Sequence, residues 1–432
     1  MTSPSKPKLG KKTADEASLE ARTSFSGDSS GPTSLGGYFQ GYVNKVRGGD
    51  VGALPAVLGL VVLIIVFWIA KPSDFMTVYN LGNLLQQSGS ICVLAMGIGF
   101  VLLLGHIDLS AGVIGGVAAG VMAQLLVLHN WQWYTATVAA LVVGVLMGLL
   151  TGWLVTVVGI PSFVVTLAFF LAWQGLLLVI MGQSGTVSVG DSVIVAIDGG
   201  NMSVGVGWVV VILSIVAYAA VNLIVWQRRT AQNLITTPLV VVSIRIAVIA
   251  VLLILGTIAL STNRGLNNSD LAGIPWIAPI VGVLLVILTF VQNRTAFGRY
   301  VYAVGGNAEA ARRAGIRVGR MTIYCFVLSS ALAAFSGIID ASRIGSVSSS
   351  SGGGNVLLFA VAAAVIGGTS LFGGKGKARD AILGGLVIGV INNGLGLLGV
   401  ETKINYIITG IVLLLAASVD ALSRRRRAGS AR

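Results

Sequence analysis

The sequence predicts an all-α membrane protein with about twelve transmembrane helices, and three observations support this fold class. Of the 432 residues, 55% are hydrophobic and only 10% are charged, and the mean hydropathy is +0.91. These values exclude an ordinary soluble protein. Apolar runs of roughly 17 to 25 residues recur from residue 51 onward, and each can cross about 30 Å of hydrocarbon as a helix. The 58 glycines fit closely packed membrane helices.

The first 48 residues differ from the rest of the chain. They are rich in Ser, Gly, Lys and Thr and show no helical periodicity, so we expect a disordered cytoplasmic tail. The first apolar run begins only near residue 51 and is long enough to span the bilayer, which argues against a cleaved signal peptide. We therefore expect a transmembrane domain over residues 49–421 and a basic cytoplasmic tail over residues 422–432.

The predicted spans are the apolar runs between polar breaks, and Pro161 and Pro275 mark two of the helix starts. The spans are 51–70, 86–104, 110–128, 134–158, 162–181, 208–226, 239–260, 274–291, 321–340, 356–372, 381–398 and 404–420. Polar side chains precede and enter the second span at spacings near one helix face; they are Asn80, Asn83, Gln86, Gln87 and Ser88. Either they line a vestibule or they belong to an amphipathic helix lying on the membrane.

The distribution of charge predicts the orientation. The net charge of +13 comes from basic residues in the tails and a few loops, so we attribute it to membrane topology and not to nucleic-acid binding. Because cytoplasmic loops collect Lys and Arg, both termini are placed in the cytoplasm. The basic groups that this orientation puts inside are Arg228 and Arg229, Lys375, Lys377 and Arg379, and the arginines at 424–427.

A basic segment, residues 293–320, is the long polar insertion between two apolar runs, and it contains six arginines. Asn307 can cap a short helix over 308–314, with Glu309 in its first turn, arginines in its last turn and Gly315 ending it. A helix of about two turns is marginal alone in water. We therefore expect it to rest on another surface, either its own protein or a separate partner.

Two regions, 86–120 and 356–389, resemble each other weakly. Each has an apolar helix, a Gly-rich polar break (GHIDLSAG or GGTSLFGGKGKARD) and a Gly-rich helix. Internal duplication places the pathway of a membrane transporter where its repeats meet. Chance similarity between Gly-rich membrane sequences is the alternative interpretation.

The sequence lacks the residues of an enzyme. No nucleophile, base and acid set is recognisable, and no phosphate loop of the form GxxxxGK[ST] occurs. With two histidines and two cysteines in the chain, we expect no metal site, and Cys92 and Cys325 fall in apolar helices as packing residues. The chain also lacks the row of intramembrane acids and histidines of a proton relay. Energy should therefore come from outside this chain, which binds no cofactor itself.

The spacing EAAxxxG at 309–315 resembles the coupling segment of ATP-binding-cassette (ABC) importer permeases, a short helix that docks on a separate ATPase. Three stretches in the same order strengthen the resemblance: GHIDLSAG, GRYVYAVGGNAEAARRAGI and AAAVIGGTSLFGGKGKARDAILGGLVIGVINNGL. Together they resemble the permease family of ribose-, galactose- and xylose-type ABC importers over residues 80–420. An extra pair of spans around 228–275 is more similar to the xylose branch.

The resemblance implies a multi-pass permease of the bacterial plasma (inner) membrane that translocates a monosaccharide, with D-xylose as the first expectation. It implies a second copy of the chain as a homodimer, a cytoplasmic ABC ATPase subunit that uses ATP and Mg, and an extracytoplasmic sugar-binding protein. Two alternatives remain open from the sequence. One is a permease for branched-chain amino acids or nucleosides, and the other is a non-transporting membrane scaffold.

Two sets of candidate residues follow. By resemblance, the ATPase-coupling residues are Gly305, Gly306, Asn307, Glu309, Ala310, Ala311, Arg312, Arg313 and Gly315. The candidates for the substrate pathway are Asn83, Gln86, Gln87, Asp108, Asn392 and Asn393. Among these, Asp108 is favoured instead as a cap of the third span, where an acid meets free backbone N–H groups. Asn392 and Asn393 lie in an apolar helix and need partners, either sugar hydroxyls or neighbouring helices.

Overall fold

The structure is a computed structural model that describes residues 52–412, except 233, 235, 266–270 and 402, together with the isolated positions 37, 40, 414, 415 and 418. The predicted cytoplasmic tails, 1–48 and 422–432, lie outside the described residues apart from positions 37 and 40. Most of the second half of the last predicted span, 404–420, also lies outside them.

The described ranges are mainly helical. In chain order the helices are α1 (Leu54–Ala70), α2 (Pro72–Phe75), α3 (Val78–Leu103), α4 (Ala111–Val127), α5 (Trp133–Trp153), α6 (Ser162–Met181), α7 (Ser192–Gly199), α8 (Val204–Ala231), α9 (Leu239–Ser261), α10 (Ile277–Arg294), α11 (Ala296–Gly306), α12 (Ala308–Arg313), α13 (Val318–Ile344), α14 (Val356–Gly367), α15 (Ala378–Leu397) and α16 (Lys403–Val412). A π-helical turn, Leu154–Val158, extends α5, and a 3₁₀ turn, Gly182–Ser184, follows α6.

Eight of the helices within these ranges are long and apolar enough to cross a membrane; they are α3, α5, α6, α8, α9, α10, α13 and α15. Four shorter apolar helices, α1, α4, α14 and α16, accompany them. The chain is therefore an all-α polytopic membrane protein, as the composition predicts.

Helix α3 begins earlier than the sequence predicts. The Thr77 hydroxyl accepts a hydrogen bond from the backbone N–H of Asn80 and caps the helix start, so α3 runs unbroken from Val78. The polar stretch that contains Asn83, Gln86 and Gln87 is thus part of a long membrane helix. Of the two alternatives for this stretch, a separate helix on the membrane surface is wrong.

The described residues divide into two units. One contains those of residues 213–252, and the other contains those of residues 52–212 and 253–412. In the second unit, α13 packs against α3, α4 and α5, while α15 packs against α3 and α14. Small residues allow these close contacts: a Cβ added at Gly337 would overlap the carbonyl oxygen of Gly115. Most of α3, α13 and α15 is buried, so these three helices form the centre of the unit.

Two segments between predicted spans, 182–207 and 341–355, contain regular structure. Strand β1 (Thr186–Ser188) pairs antiparallel with β2 (Ser346–Ser348), with Val187 opposite Val347. Val347 is buried, and the short helix α7 follows β1. Sequence reasoning missed this sheet because three-residue strands leave almost no periodicity.

Candidate functional site

The basic segment contains two helices where the sequence predicts one. Its first helix, α11, starts at Thr295, whose hydroxyl accepts a hydrogen bond from the backbone N–H of Gly298. Val301 and Val304 are buried, and Phe297 packs against the hydrophobic core. These three apolar positions have helical spacing. This spacing could have indicated α11 from the sequence, but the many arginines around these residues concealed the pattern.

The second helix, α12, has the cap that the sequence predicts. The Asn307 side-chain oxygen accepts a hydrogen bond of 2.9 Å from the backbone N–H of Ala310. Gly315 lies just beyond the helix end with a φ of +84°, a left-handed conformation that a residue with a Cβ adopts only at a cost. The turn that follows α12 thus depends on glycine.

Most of α12 faces solvent. Ala311 is its one buried residue, and the ion pairs of Glu309 with Arg312 (3.0 Å) and Arg313 (3.2 Å) join side chains that are each more than half exposed. Exposed pairs of this kind contribute little to stability. The helix therefore presents a charged outer face that the protein's own packing does not use.

The end of α11 meets two breaks between membrane helices. We call residues 104–110, between α3 and α4, the first break, and residues 368–377, between α14 and α15, the second break. The carbonyl oxygen of Leu103, at the end of α3, accepts a 2.9 Å hydrogen bond from the N–H of Gly374 in the second break. Gly305 lies against both groups, and a Cβ added to it would overlap the Leu103 oxygen; Gly306 faces open space. Three chain segments therefore meet at Gly305.

The second break is fastened to the basic segment and to the helix before it. The Tyr302 hydroxyl of α11 donates a 2.6 Å hydrogen bond to the carbonyl oxygen of Gly376. In α10, the buried side chain of Gln292 accepts a 2.9 Å hydrogen bond from the N–H of Ala378, the first residue of α15. Burial, followed by the nearby Asp380 carboxylate, raises the pKa of Tyr302. The hydroxyl therefore keeps its proton and remains a donor.

The first break is fastened to other membrane helices. The Asp108 carboxylate accepts hydrogen bonds from the backbone N–H (3.0 Å) and hydroxyl (2.7 Å) of Ser110, next to the start of α4. The hydroxyl of Ser329 in α13 lies 3.4 Å from its other oxygen, and Thr166 of α6 donates to the carbonyl oxygen of Ile107. Burial raises the pKa of Asp108, and these hydrogen bonds oppose the rise. In this conformation, Asp108 holds the start of α4 in place.

The two asparagines of α15 have protein partners. Asn393 and Asn80 of α3 form a buried reciprocal pair in which each side-chain amide donates to the other's oxygen over 2.8 Å. Asn392 accepts a 3.1 Å hydrogen bond from Asn405 of α16. None of these hydrogen bonds reaches Asp108, which lies in the first break and has other partners.

A second polar cluster lies between α3, α7 and α13. The Gln86 side chain donates to the backbone oxygen of Asp198, and the Ser342 hydroxyl joins α7 to α13 through the N–H of Asp198 and the carbonyl oxygen of Val195. Within the part of the chain that the structure describes, the buried Asp198 carboxylate has no hydrogen-bond partner. Burial raises its pKa to about 7.

The sequence did not single out Asp198. It lies between the predicted spans 162–181 and 208–226, and only the docking of α7 buries it. The other candidates from this part of α3, Asn83 and Gln87, are half-buried.

Comparison with known proteins gives consistent matches over most of the chain. The family model "Branched-chain amino acid transport system / permease component" matches residues 80–417. The xylose transport system permease protein XylH of Escherichia coli (strain K12) is 35% identical over 375 residues, covering 86% of this chain and 92% of that protein.

Two further relatives are sugar permeases. The ribose import permease protein RbsC of the same strain is 30% identical over 365 residues, covering 84% of this chain and 92% of that protein. The fructose import permease protein FrcC of Rhizobium meliloti is 28% identical over 375 residues, covering 86% of each. No solved structure matches significantly.

Proposed function

Since this chain belongs to the permease family of branched-chain amino acid transport systems, within which its similar relatives are sugar permeases, we propose that it is the membrane-spanning subunit of an ABC sugar importer. Its relatives are transporter subunits and not enzymes, and its apolar helices place it in the membrane. We assign ATP hydrolysis, with Mg, to a separate cytoplasmic ATPase subunit. An extracytoplasmic binding protein delivers the sugar.

The observation that carries the proposal is the placement of α12. It is a capped, solvent-facing helix that directly follows α11, and α11 contacts the end of α3 and the second break through Gly305. A helix that is exposed on one side and continuous with a buried junction on the other suits the transfer of movement from a docked partner. We propose that Gly305 to Arg313 and Gly315 form the ATPase-coupling region.

In the transport cycle that we propose, ATP binding closes the ATPase subunits, and α12 moves with them. The movement shifts the junction at Gly305 and opens the permease toward the loaded binding protein. Hydrolysis then resets the cycle. The transporter is a two-state system that ATP and the loaded binding protein bias from opposite faces of the membrane. The permease contacts sugar only weakly, because a tight site would not release it.

For the topology, we propose that the eight long helices and the four shorter apolar helices all cross the membrane. Twelve segments return the chain to the side on which it starts, and the arginines of α8 and of the basic segment then lie in the cytoplasm, as positive charges in cytoplasmic loops require. We further propose that two copies of the chain form a homodimer around the pathway.

We propose D-xylose as the first substrate to test, because the relatives at 33–35% identity are named xylose permeases. The test is uptake of radiolabelled D-xylose into cells that lack this gene, cells that lack the ATPase gene, and their parent. We expect an equal loss of uptake in both deletion strains. Normal uptake in both would show that xylose is the wrong sugar, and loss only without this gene would overturn the role of that ATPase.

A second candidate substrate class is the branched-chain amino acids, which the family description names. The same strains decide between the classes when radiolabelled leucine replaces xylose. Loss of leucine uptake together with normal uptake of xylose, ribose and fructose would assign the chain to amino-acid transport.

Our candidates for contact with the substrate remain Gln86, Asn83 and Gln87 of α3. Asp108, Asn392 and Asn393 join them if their present partners release them.

The coupling assignment has its own test in α12. Glu309→Ala removes the exposed carboxylate, and Gly315→Ala strains the left-handed turn. We expect either change to abolish uptake while the protein still inserts into the membrane in normal amounts, because the spans are untouched. Normal uptake with either variant would contradict the assignment.

A further inference from the structure

Two side-chain hydrogen bonds join the basic segment and the helix before it to the start of α15, a helix far along the chain. Tyr302 of α11 donates to Gly376, and Gln292 of α10 accepts from Ala378. Both partners lie where the second break becomes α15. The basic segment also packs on α13, where the rings of Phe297 and Tyr324 lie 6.4 Å apart. Its hydrogen bonds from side chains, however, lead to the start of α15.

The start of α15 is held firmly. Gln292 is 4% exposed, and its side-chain oxygen accepts from one of the backbone N–H groups that a helix start leaves without a partner. Asp380 accepts a 2.8 Å hydrogen bond from the N–H of Lys377 and completes the cap. Because a buried N–H that loses its acceptor is costly, the helix start should follow Gln292 when α10 and α11 move.

Helix α15 can carry such a movement over a long distance. Its twenty residues span about 30 Å, and no proline interrupts them. It packs tightly along its length: a Cβ added at Gly384 would overlap the backbone of Ala363, and one at Gly389 would overlap the side chain of Ser88. Near its far end, Asn393 pairs with Asn80 of α3. A shift at Ala378 is therefore transmitted to the Asn80–Asn393 pair.

We infer that α15 is the helix that carries the movement of the basic segment across the membrane, and that Tyr302 of this segment and Gln292 of the preceding helix α10 are the positioning residues that fasten the start of α15. The inference rests on the proposed function, because the movement originates in a docked ATPase. Beyond that function, it assigns the route of the movement to α15 and the attachment of α15 to Tyr302 and Gln292. On this route, the Asn80–Asn393 pair is the contact that must change at the opposite face.

The experiment measures whether ATP moves the far end of α15. A single cysteine is introduced by Leu398→Cys, at an exposed position directly after α15, while the native Cys92 and Cys325 are buried. The chain is purified with its ATPase subunit in lipid nanodiscs. The rate of maleimide labelling is then compared without nucleotide and after trapping with ATP and vanadate.

We expect trapping to change the labelling rate at least about threefold in the otherwise wild-type protein. Tyr302→Phe with Gln292→Leu should abolish this change, while the bound ATPase and its rate of hydrolysis remain. Tyr302→Phe alone, which keeps the ring, should reduce the change at least about twofold, and Gln292→Glu, which keeps an acceptor oxygen, should preserve it. Tyr300→Phe is the matched control, because Tyr300 lies in α11 but is 43% exposed.

Four outcomes would count against the inference, and they can be told apart. In the first, the double variant is labelled like wild type; in the second, Tyr300→Phe has the same effect as Tyr302→Phe. Either result would show that these side chains do not fasten α15. An absence of change in wild type that hydrolyses ATP would show that α15 does not move. If no ATPase subunit binds the wild-type chain, the proposed function itself fails, and the inference fails with it.

Discussion

The first and second breaks have similar sequences but different attachments. Each is a Gly-rich interruption with a buried aspartate beside a helix start, Asp108 before α4 and Asp380 in the first turn of α15. The first break is attached to α6 and α13 through Thr166 and Ser329. The second is attached to α10 and α11 through Gln292 and Tyr302. Two weakly similar breaks in one chain thus have different attachments, and we propose that the first serves the structure and the second serves coupling.

The largest effect is expected where the end of α3 and the second break meet the basic segment. Gly305→Ala places a methyl group onto the carbonyl oxygen of Leu103, which is backbone and cannot yield easily, whereas Gly306→Ala meets nothing within 4 Å. We expect Gly305→Ala to reduce uptake per inserted protein to background and Gly306→Ala to reduce it much less. Cellular uptake and membrane abundance measured together check this. Equal effects of the two variants would mean that the junction plays no special role.

The next test separates the two aspartates. Asp380→Ala removes the cap at the start of α15 and should reduce transport strongly, because it loosens the attached second break. Asp108→Ala should destabilise the protein by about 1–2 kcal/mol, as the loss of a buried hydrogen-bonded cap does, and leave uptake per folded protein close to wild type. Thermal unfolding in detergent and uptake are both measured. If Asp108→Ala uncouples transport as strongly as Asp380→Ala, the contrast between the breaks is wrong.

A smaller effect is expected far from both breaks, at α7. The pKa of Asp198 is raised in the folded protein to about 7, so the folded state binds a proton more tightly than the unfolded state does. Stability should therefore fall as the pH rises from about 4 to about 7 and then level off. Asp198→Asn should flatten this dependence and raise the melting temperature above that of wild type at about pH 8.

Asp191→Asn provides the matched control for α7. Asp191 caps the same helix through the N–H groups of Val193 and Ile194, and asparagine caps about as well. Its melting temperature should follow that of wild type at every pH. A pH dependence that Asp198→Asn leaves intact would show that another group titrates.

The smallest effect is expected at the N-terminus. Deletion of residues 1–45 should leave uptake close to wild type, because we expect this tail to contact neither break. Uptake and membrane abundance are compared with those of the full chain. Loss of transport in properly inserted protein would give the tail a role that this account lacks.

The sequence predicts what depends on local chemistry. The cap at Asn307 and the glycine end at Gly315 require only residues within one or two helical turns, so α12 was predictable nearly to the residue. The apolar runs likewise predict most spans within a few residues of the observed helices. Thr77 is an exception, since its cap extends α3 into a stretch whose polar side chains suggested a separate element.

What depends on distant contacts was not predictable. Asn80 and Asn393 lie 313 residues apart in the sequence, so nothing near either residue indicates its partner. The hydrogen bond between Tyr302 and Gly376 spans 74 residues. For the same reason, Asp198 looked like an ordinary loop residue, because its burial is created by the docking of α7 on α3 and α13.

We propose that ATP hydrolysis by a partner drives sugar through this chain by way of the basic segment. The most direct test is uptake of radiolabelled D-xylose into proteoliposomes that contain this chain and its ATPase subunit, with the sugar-binding protein supplied on the extracytoplasmic side and ATP on the other. We predict uptake that requires ATP and both subunits and that Glu309→Ala abolishes. Uptake that proceeds without ATP, or that survives Glu309→Ala unchanged, would contradict the account.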